Sequence, residues 1–308
     1  MIFPKNIFLA FVAFAISYML TPLTIPLSHV TGAMDIPDGN RKINKFPIPR
    51  MGGLGFFLAA FLVIFPIAAI NPFAAALLSA GAVLVAGGVL DDTFGTSPML
   101  KLLIQSLCAV IVISFIGIPD EFSFLGVIKI PLVGILGFTF TLFRILFTIN
   151  AVNFCDGLDG LASGLSVVAL LSLFVYGTAN SNYSAALCAL VIAAAVLGFL
   201  PYNKYHAKVF MGDCGSQFLG LAISVLSLAT APDGNFSLET SLFLSVPAID
   251  TVLSVARRII KRKSPFVADK GHLHHALLKI GISHPHASNL LVAFSGLIAL
   301  ISLLLIDF

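Results

Sequence analysis

Charge is what this sequence has least of: Asp, Glu, Lys and Arg make up 10% of its 308 residues, against 58% hydrophobic residues and a mean hydropathy of +1.05. A water-soluble domain carries about a quarter charged residues, so that class is excluded. The apolar/polar alternation of an outer-membrane barrel is also missing, and unbroken runs such as Phe56 to Ile70 argue for helices. Cysteine is scarce. Cys108, Cys155, Cys188 and Cys214 form no C-x-x-C pair, two of them fall within apolar runs, and neither a disulfide nor a zinc site is indicated.

What is present is apolar length. A stretch of about 20 residues spans the hydrocarbon core, and ten runs qualify, near residues 7–27, 52–70, 73–90, 99–117, 131–149, 160–177, 184–200, 215–231, 238–259 and 288–306. The expected fold class is all-α, a polytopic membrane protein of about ten transmembrane helices. Little chain is left for a soluble domain, so residues 1–308 are read as a single integral membrane domain. The first run follows Lys5 and holds the small residues Ala13 and Ala15, as a cleavable signal peptide would, but it continues apolar to Leu27. A retained helix is expected.

Lys and Arg separate the two faces. The loops after spans 1, 3, 5, 7 and 9, with their flanks, hold Arg41, Lys42, Lys45, Arg50, Lys101, Lys204, Lys208 and the group from Arg257 to Lys279, and Arg144 near the end of span 5 is counted with them, whereas the other side has only Lys5 and Lys129. The positive-inside rule puts the first set in the cytoplasm. Asp35, Asp38, Asp91, Asp92, Asp156, Asp159, Asp213 and Asp269 fall on that same face. Acidic clusters flanked by glycine are therefore a feature of one side.

Asp91 and Asp92 end an apolar run, where adjacent carboxylates repel, face the unfavourable end of a helix dipole, and call for a divalent cation or a shared proton. The densest polar cluster is Asn150-Ala-Val-Asn153-Phe-Cys-Asp156-Gly-Leu-Asp159-Gly. Asn offers an amide oxygen to a metal or donors to a base or phosphate, while Asp159 alone would also serve as a helix cap. The spacing is not that of an EF-hand. In Phe210-Met-Gly-Asp213-Cys-Gly-Ser216 the acid precedes an apolar run, so free amides at a helix N-terminus are expected to favour phosphate there. Together these motifs point to a Mg2+-dependent site, with Mn2+ as the alternative ion, for a phosphorylated substrate. The last cytoplasmic loop adds His272, His274 and His275, which suit hydrogen bonding to phosphate or sugar better than zinc, because no Cys or carboxylate sits at ligand spacing.

In this order the motifs Asp91-Asp92-x-x-Gly95, Asn150-x-x-Asn153-x-x-Asp156-Gly-x-Asp159-Gly, Phe210-Met-Gly-Asp213-x-Gly-Ser216 and His272-Leu-His274-His275 resemble those of the polyprenyl-phosphate N-acetylhexosamine-1-phosphate transferases, the superfamily of the MraY, WecA and TagO enzymes. The likeness runs from Asp35 to about His286. It implies transfer of a sugar-1-phosphate, most often GlcNAc-1-phosphate, from a UDP-N-acetylhexosamine to undecaprenyl phosphate on the cytoplasmic face of a bacterial inner membrane, with release of UMP. It further implies Asp213 and Asn153 as metal ligands, Asp91 and Asp92 as the catalytic pair, and Lys45, Asn150, Asp156, Asp159, Asn203, Phe210, His272, His274 and His275 as substrate contacts, with Phe210 stacking on uracil. The implied partners are substrate and membrane lipid, with no nucleic acid; a homodimer is compatible with this reading.

Asn44 stands where relatives often carry His, and the final motif lacks three adjacent histidines, which places the likeness nearer the WecA and TagO branch. A transporter or flippase is the rival reading, but transporters keep ionisable groups near the midplane. Here nearly every acid lies at a membrane boundary; Asp250, deep within a run, is the exception, where it either pairs with the nearby arginines or reaches the site.

Overall fold

The computed structural model describes residues 2–37, 46–124, 128–231, 235–262 and 271–305. Its helices follow the apolar runs: α1 (Ile2–Thr31), α2 (Gly52–Ala68), α3 (Pro72–Phe94), α4 (Pro98–Ile116), α5 (Gly134–Phe154), α6 (Leu161–Ala179), α7 (Tyr183–Asn203), α8 (Gly212–Ala229), α9 (Leu238–Leu242), α10 (Ser245–Ile260), α11 (Leu273–Lys279) and α12 (His284–Leu305). Local chemistry sets several boundaries. Asn71 and Ser97 cap α3 and α4 by accepting the amides of Ala74 at 3.0 Å and Leu100 at 3.2 Å, each followed by proline at the first helical position. Gly95 and Gly117 end the same two helices at φ 68° and 77°.

Eight of these helices are long and apolar enough to cross a membrane, and α2 is a shorter apolar helix of 17 residues. The run at 238–259 differs from expectation, because it breaks into α9 and α10. The Ser237 hydroxyl caps α9 at Thr240 N (3.3 Å), Leu244 leaves helical geometry at φ −112°, ψ 33°, and Pro247 in the first turn of α10 has no N–H to carry a helix across the junction. One side of α10 then buries Asp250, Thr251, Ser254 and Arg258, so this helix is a polar wall rather than a plain lipid span.

Helix α8 is the axis: all its residues are buried, and it packs against α3, α5, α2, α6 and α7. Glycines bring backbones together where it meets two of them. A Cβ on Gly88 of α3 would collide with the Cys214 backbone, and one on Gly220 with the Ile149 backbone of α5. Such small-residue contacts replace hydrophobic driving force between helices in lipid. They also hold the first turn of α8 against the end of α3. At the periphery, α1, α4 and α12 leave Phe8, Phe11, Leu103, Leu107, Leu297 and Leu304 exposed, as a lipid-facing surface requires.

Two small sheets supplement the helices. β1 (Met34–Asp35) pairs antiparallel with β2 (Ile48–Pro49), and at the other end β3 (Glu121–Phe124) pairs antiparallel with β4 (Ile128–Pro131) and parallel with β5 (Phe236–Ser237). The first sheet matters for the site because Arg50 follows β2 directly.

Candidate active site

The C-terminal ends of α3 and α5 and the N-terminal ends of α4 and α8 converge, and their acidic motifs meet. One oxygen each from Asp91, Asp92 and Asp213 lies within 4.8 Å of the others. Two cations hold these like charges together. Lys101 Nζ lies 2.7 Å from Asp91 Oδ2 and 2.7 Å from Asp213 Oδ2, while an Arg50 Nη2 lies 3.2 Å from Asp92 Oδ1 and 3.7 Å from Asp213 Oδ1. Burial works against the charge on Arg50, but the surrounding carboxylates of Asp92, Asp213, Asp35 and Asp156 more than offset it.

The two adjacent aspartates have different surroundings. Asp91 Oδ1 accepts the amide and the hydroxyl of Thr96, at 2.7 and 2.5 Å, which leaves Oδ2 to Lys101. Asp92 points the other way, with a side chain that is 0% exposed, and accepts Asp213 N at 3.0 Å and Cys214 N at 3.1 Å. It therefore caps α8 from α3 and stabilises that N-terminus electrostatically. This corrects one sequence expectation: the first amides of α8 are not free for a substrate phosphate, because Asp92 holds two of them. Gly212, at φ +68°, allows the approach; a Cβ there would strike Arg50 O and the Asp92 carboxylate.

Asp213 is fixed from both sides. Asn153 Nδ2 donates to its Oδ1 at 3.1 Å and to Ser216 Oγ at 2.8 Å, and Gln217 Nε2 donates to its Oδ2 at 3.1 Å. Asn150 lies one step deeper. Its Nδ2 donates to Gln105 Oε1 at 2.8 Å, and Gln105 Nε2 donates to Gln217 Oε1 at 3.1 Å, so it orients the ladder beneath Asp213.

The remaining expected contacts divide. Asp156 is half-buried near the cluster, and its carboxyl is pushed up to about 7 by burial and by the negative charges of Asp213, Asp92 and Asp35, against the pull of Arg50. His274 is buried over Gly157, its ring 5.6 Å from that of His272 and 4.3 Å from that of His275, so the histidine motif closes over the Asp156 loop. Burial and the neighbouring histidines lower His274 to about 3, which keeps it neutral at physiological pH. Phe210 is half-buried, and its backbone is laced to Pro49 and Gly52 at 2.8 and 2.9 Å.

Two residues expected to contact substrate are engaged inside the fold. Asn203, 2% exposed, accepts from Ser163 Oγ at 2.6 Å and donates to Val209 O at 3.1 Å. Asp159 Oδ2 accepts Ala207 N at 3.0 Å, and its own amide donates to His284 Nε2 at 2.9 Å. Both side chains thus brace the 204–210 segment. Lys45 and Asn44 lie outside the described residues, as do Asp38 and Asp269.

Comparison with known proteins agrees with this geometry. Residues 74–231, just over half of the chain and the part that carries Asp91, Asp92, Asn153 and Asp213, match the model of glycosyl transferase family 4. A probable undecaprenyl-phosphate N-acetylglucosaminyl 1-phosphate transferase of Bacillus subtilis is 35% identical over 94% of this chain and 83% of its own length. The chain belongs to glycosyl transferase family 4. Other similar members are a decaprenyl-phosphate N-acetylglucosaminephosphotransferase of Mycolicibacterium smegmatis, 33% identical over 92% of this chain and 78% of its own, and an undecaprenyl-phosphate alpha-N-acetylglucosaminyl 1-phosphate transferase of Escherichia coli, 30% identical over 89% and 76%. The protein is thus a multi-pass membrane enzyme of the polyprenyl-phosphate hexosamine-1-phosphate transferase type.

For a family 4 transferase the acidic cluster fits a hard divalent ion. Its donors are all oxygens, as such ions require, and a cation, the Lys101 ammonium, already sits between Asp91 Oδ2 and Asp213 Oδ2. Asn153 is turned with its nitrogen toward Asp213, leaving Oδ1 without a hydrogen bond among the described residues. Asp92 fits less well, since a metal would have to compete with the α8 amides. Sequence reading missed Lys101 and Arg50 as members of the site and counted them only as topology signals; the one clue was that both lie within ten positions of an acidic or glycine-rich motif on the same face. Gln105 and Gln217 gave no clue beyond being amides in apolar runs.

Proposed function

We propose that this enzyme transfers GlcNAc-1-phosphate from UDP-GlcNAc to undecaprenyl phosphate, releasing UMP, on the cytoplasmic face of a bacterial inner membrane, and so starts a surface glycan. The observation that carries the reading is the joint of Asp91, Asp213 and Lys101 at the end of a fully buried helix, in a chain whose relatives bear the names of such transferases. The Lys and Arg distribution supports the cytoplasmic orientation.

Asp213 and the Asn153 amide oxygen would hold Mg2+, or Mn2+ in its place, and that ion would supply charge neutralisation on the donor diphosphate. In the reaction an oxygen of the lipid phosphate bonds to the β-phosphorus of the donor, and the bond from that phosphorus to the UMP oxygen breaks, with its electron pair leaving on UMP. Lys101 and Arg50 offset the charge that builds up on the phosphoryl oxygens. Asp91 is the better-placed base of the aspartate pair, because its Oδ2 is held only by the Lys101 side chain, whereas both oxygens of Asp92 serve α8. If the acceptor arrives as a monoanion, Asp91 takes its proton. A phosphate monoester is already a competent nucleophile once deprotonated, so direct attack is favoured over a covalent aspartyl intermediate.

Asp156 gives a pH prediction. Its carboxylate, offered to the nucleotide, forms only as pH rises through about 7, so kcat/KM for the donor should fall on the acid side of that value. Asp156→Asn should flatten this limb in a pH profile; an unchanged limb would remove Asp156 from donor recognition.

The reading is tested by incubating the purified protein with undecaprenyl phosphate, Mg2+ and a panel of UDP-sugars. UMP formed from UDP-GlcNAc, dependent on lipid and metal, is the expected result. UDP as the product would mean ordinary glycosyl transfer and would overturn it.

A further inference from the structure

Among the described residues, Asp250 is the buried acid that the transfer chemistry leaves unused. It sits on α10, 1% exposed, in a wall otherwise made of helix packing. A lone carboxylate in such a place costs several kcal/mol unless it is fully hydrogen-bonded. Its two oxygens have separate partners on the next element. Oδ1 accepts the amide of Leu273 at 2.8 Å, which anchors the start of α11, and Oδ2 lies 2.8 Å from His272 Nδ1. Ser254 Oγ, one turn along α10, lies 3.3 Å from the same ring nitrogen. A carboxylate at Nδ1 accepts a hydrogen bond, so the proton of the neutral ring resides there and Nε2 carries the lone pair.

The other face of the imidazole belongs to the site. Its ring lies 5.9 Å from that of Phe154, the residue after Asn153, and is parallel within 3° to His274, whose Nε2 rests against Gly157 beside Asp156. Nε2 of His272 has no hydrogen-bond partner among the described residues. We propose that Asp250 is a positioning residue that fixes the proton of His272 on Nδ1 and thereby presents Nε2 to the substrate as an acceptor for a hydroxyl or amide N–H of the sugar. This step rests on the transfer reading above.

Asp250→Asn is the informative variant, since the Asn carbonyl can still accept the Leu273 amide and keep α11 anchored, whereas its amide nitrogen competes to donate to Nδ1. Loss of the partner that orients a metal-bound histidine lowers activity about 10- to 100-fold, and the same order serves as the expectation for an oriented substrate-binding ring. We expect a loss of that size in kcat/KM when His272 is present, and less than about a twofold further loss in a His272→Gln background, the non-additivity expected of one coupled pair. Asp250→Glu should restore part of the activity. Additive losses would assign Asp250 to the scaffold and overturn the proposal. Independently of turnover, the spectrum of 15N-histidine-labelled protein should show His272 protonated at Nδ1 in the wild type and a tautomer mixture in Asp250→Asn; a wild-type ring protonated at Nε2 would equally overturn it. If the wild type released no UMP from any donor, the transfer reading would fail by itself, and the spectrum would still decide the dyad.

Discussion

Replacing Asp213 with Asn should lower phosphosugar transfer by on the order of 10³-fold or more, while the protein stays folded in the membrane. The carboxylate is the point at which Lys101, Asn153, Gln217 and Arg50 meet. Asn at this position keeps an acceptor for Asn153, but its amide nitrogen faces the donors of Lys101 and Gln217, and the negative charge that would hold a metal is gone. Folding should survive because the cap on α8 uses the backbone amide of residue 213, not its side chain. Transfer assays paired with thermal unfolding in detergent check both halves. Near-normal turnover in a well-folded variant would remove Asp213 from the metal site.

The neighbouring aspartates should behave differently from each other, which the sequence alone could not foretell. Asp92→Ala removes the acceptor of two buried amides and the partner of Arg50. Each buried donor left unsatisfied costs about 1–3 kcal/mol, so a total of roughly 2–6 kcal/mol is expected for the two amides and should appear as a lowered unfolding temperature together with lost activity. Asp92→Asn should also destabilise, because an amide nitrogen would oppose one of the α8 N–H groups. Asp91→Asn should unfold close to the wild type, since its Oδ1 can still accept from Thr96, yet should lose most transfer activity. Equal destabilisation by both substitutions would contradict the division of labour between them.

Much of this architecture was legible from residue order. Apolar runs located the helices, cation asymmetry defined a face, and the same-side placement of Asp91, Asn153 and Asp213 anticipated that they would meet. Pairing within that face was not legible. Hydropathy describes segments, not neighbours, so nothing marked Lys101 as the bridge between α3 and α8 or set it apart from the cations that orient the chain in the membrane. Asn203 and Asp159 entered only through the family resemblance, and residue order did not show that their side chains also bond the backbone of the 204–210 segment. The break between α9 and α10 was hidden because its residues are almost as apolar as a continuous span, and only Pro247 hinted at it. Asp250 was correctly noticed as out of place in a run, but its partner is His272, the residue before α11 and more than twenty positions along the chain, not one of the nearby arginines.

The most direct test follows the β-phosphorus of the donor. With UDP-GlcNAc labelled at that atom, undecaprenyl phosphate and Mg2+, the label should pass into the organic phase as a diphosphate-linked lipid in the wild type and stay water-soluble in Asp213→Asn. Label that remains on UDP while GlcNAc moves to the lipid would show that the enzyme breaks the sugar–oxygen bond instead, and would contradict the phosphoryl transfer on which this account rests.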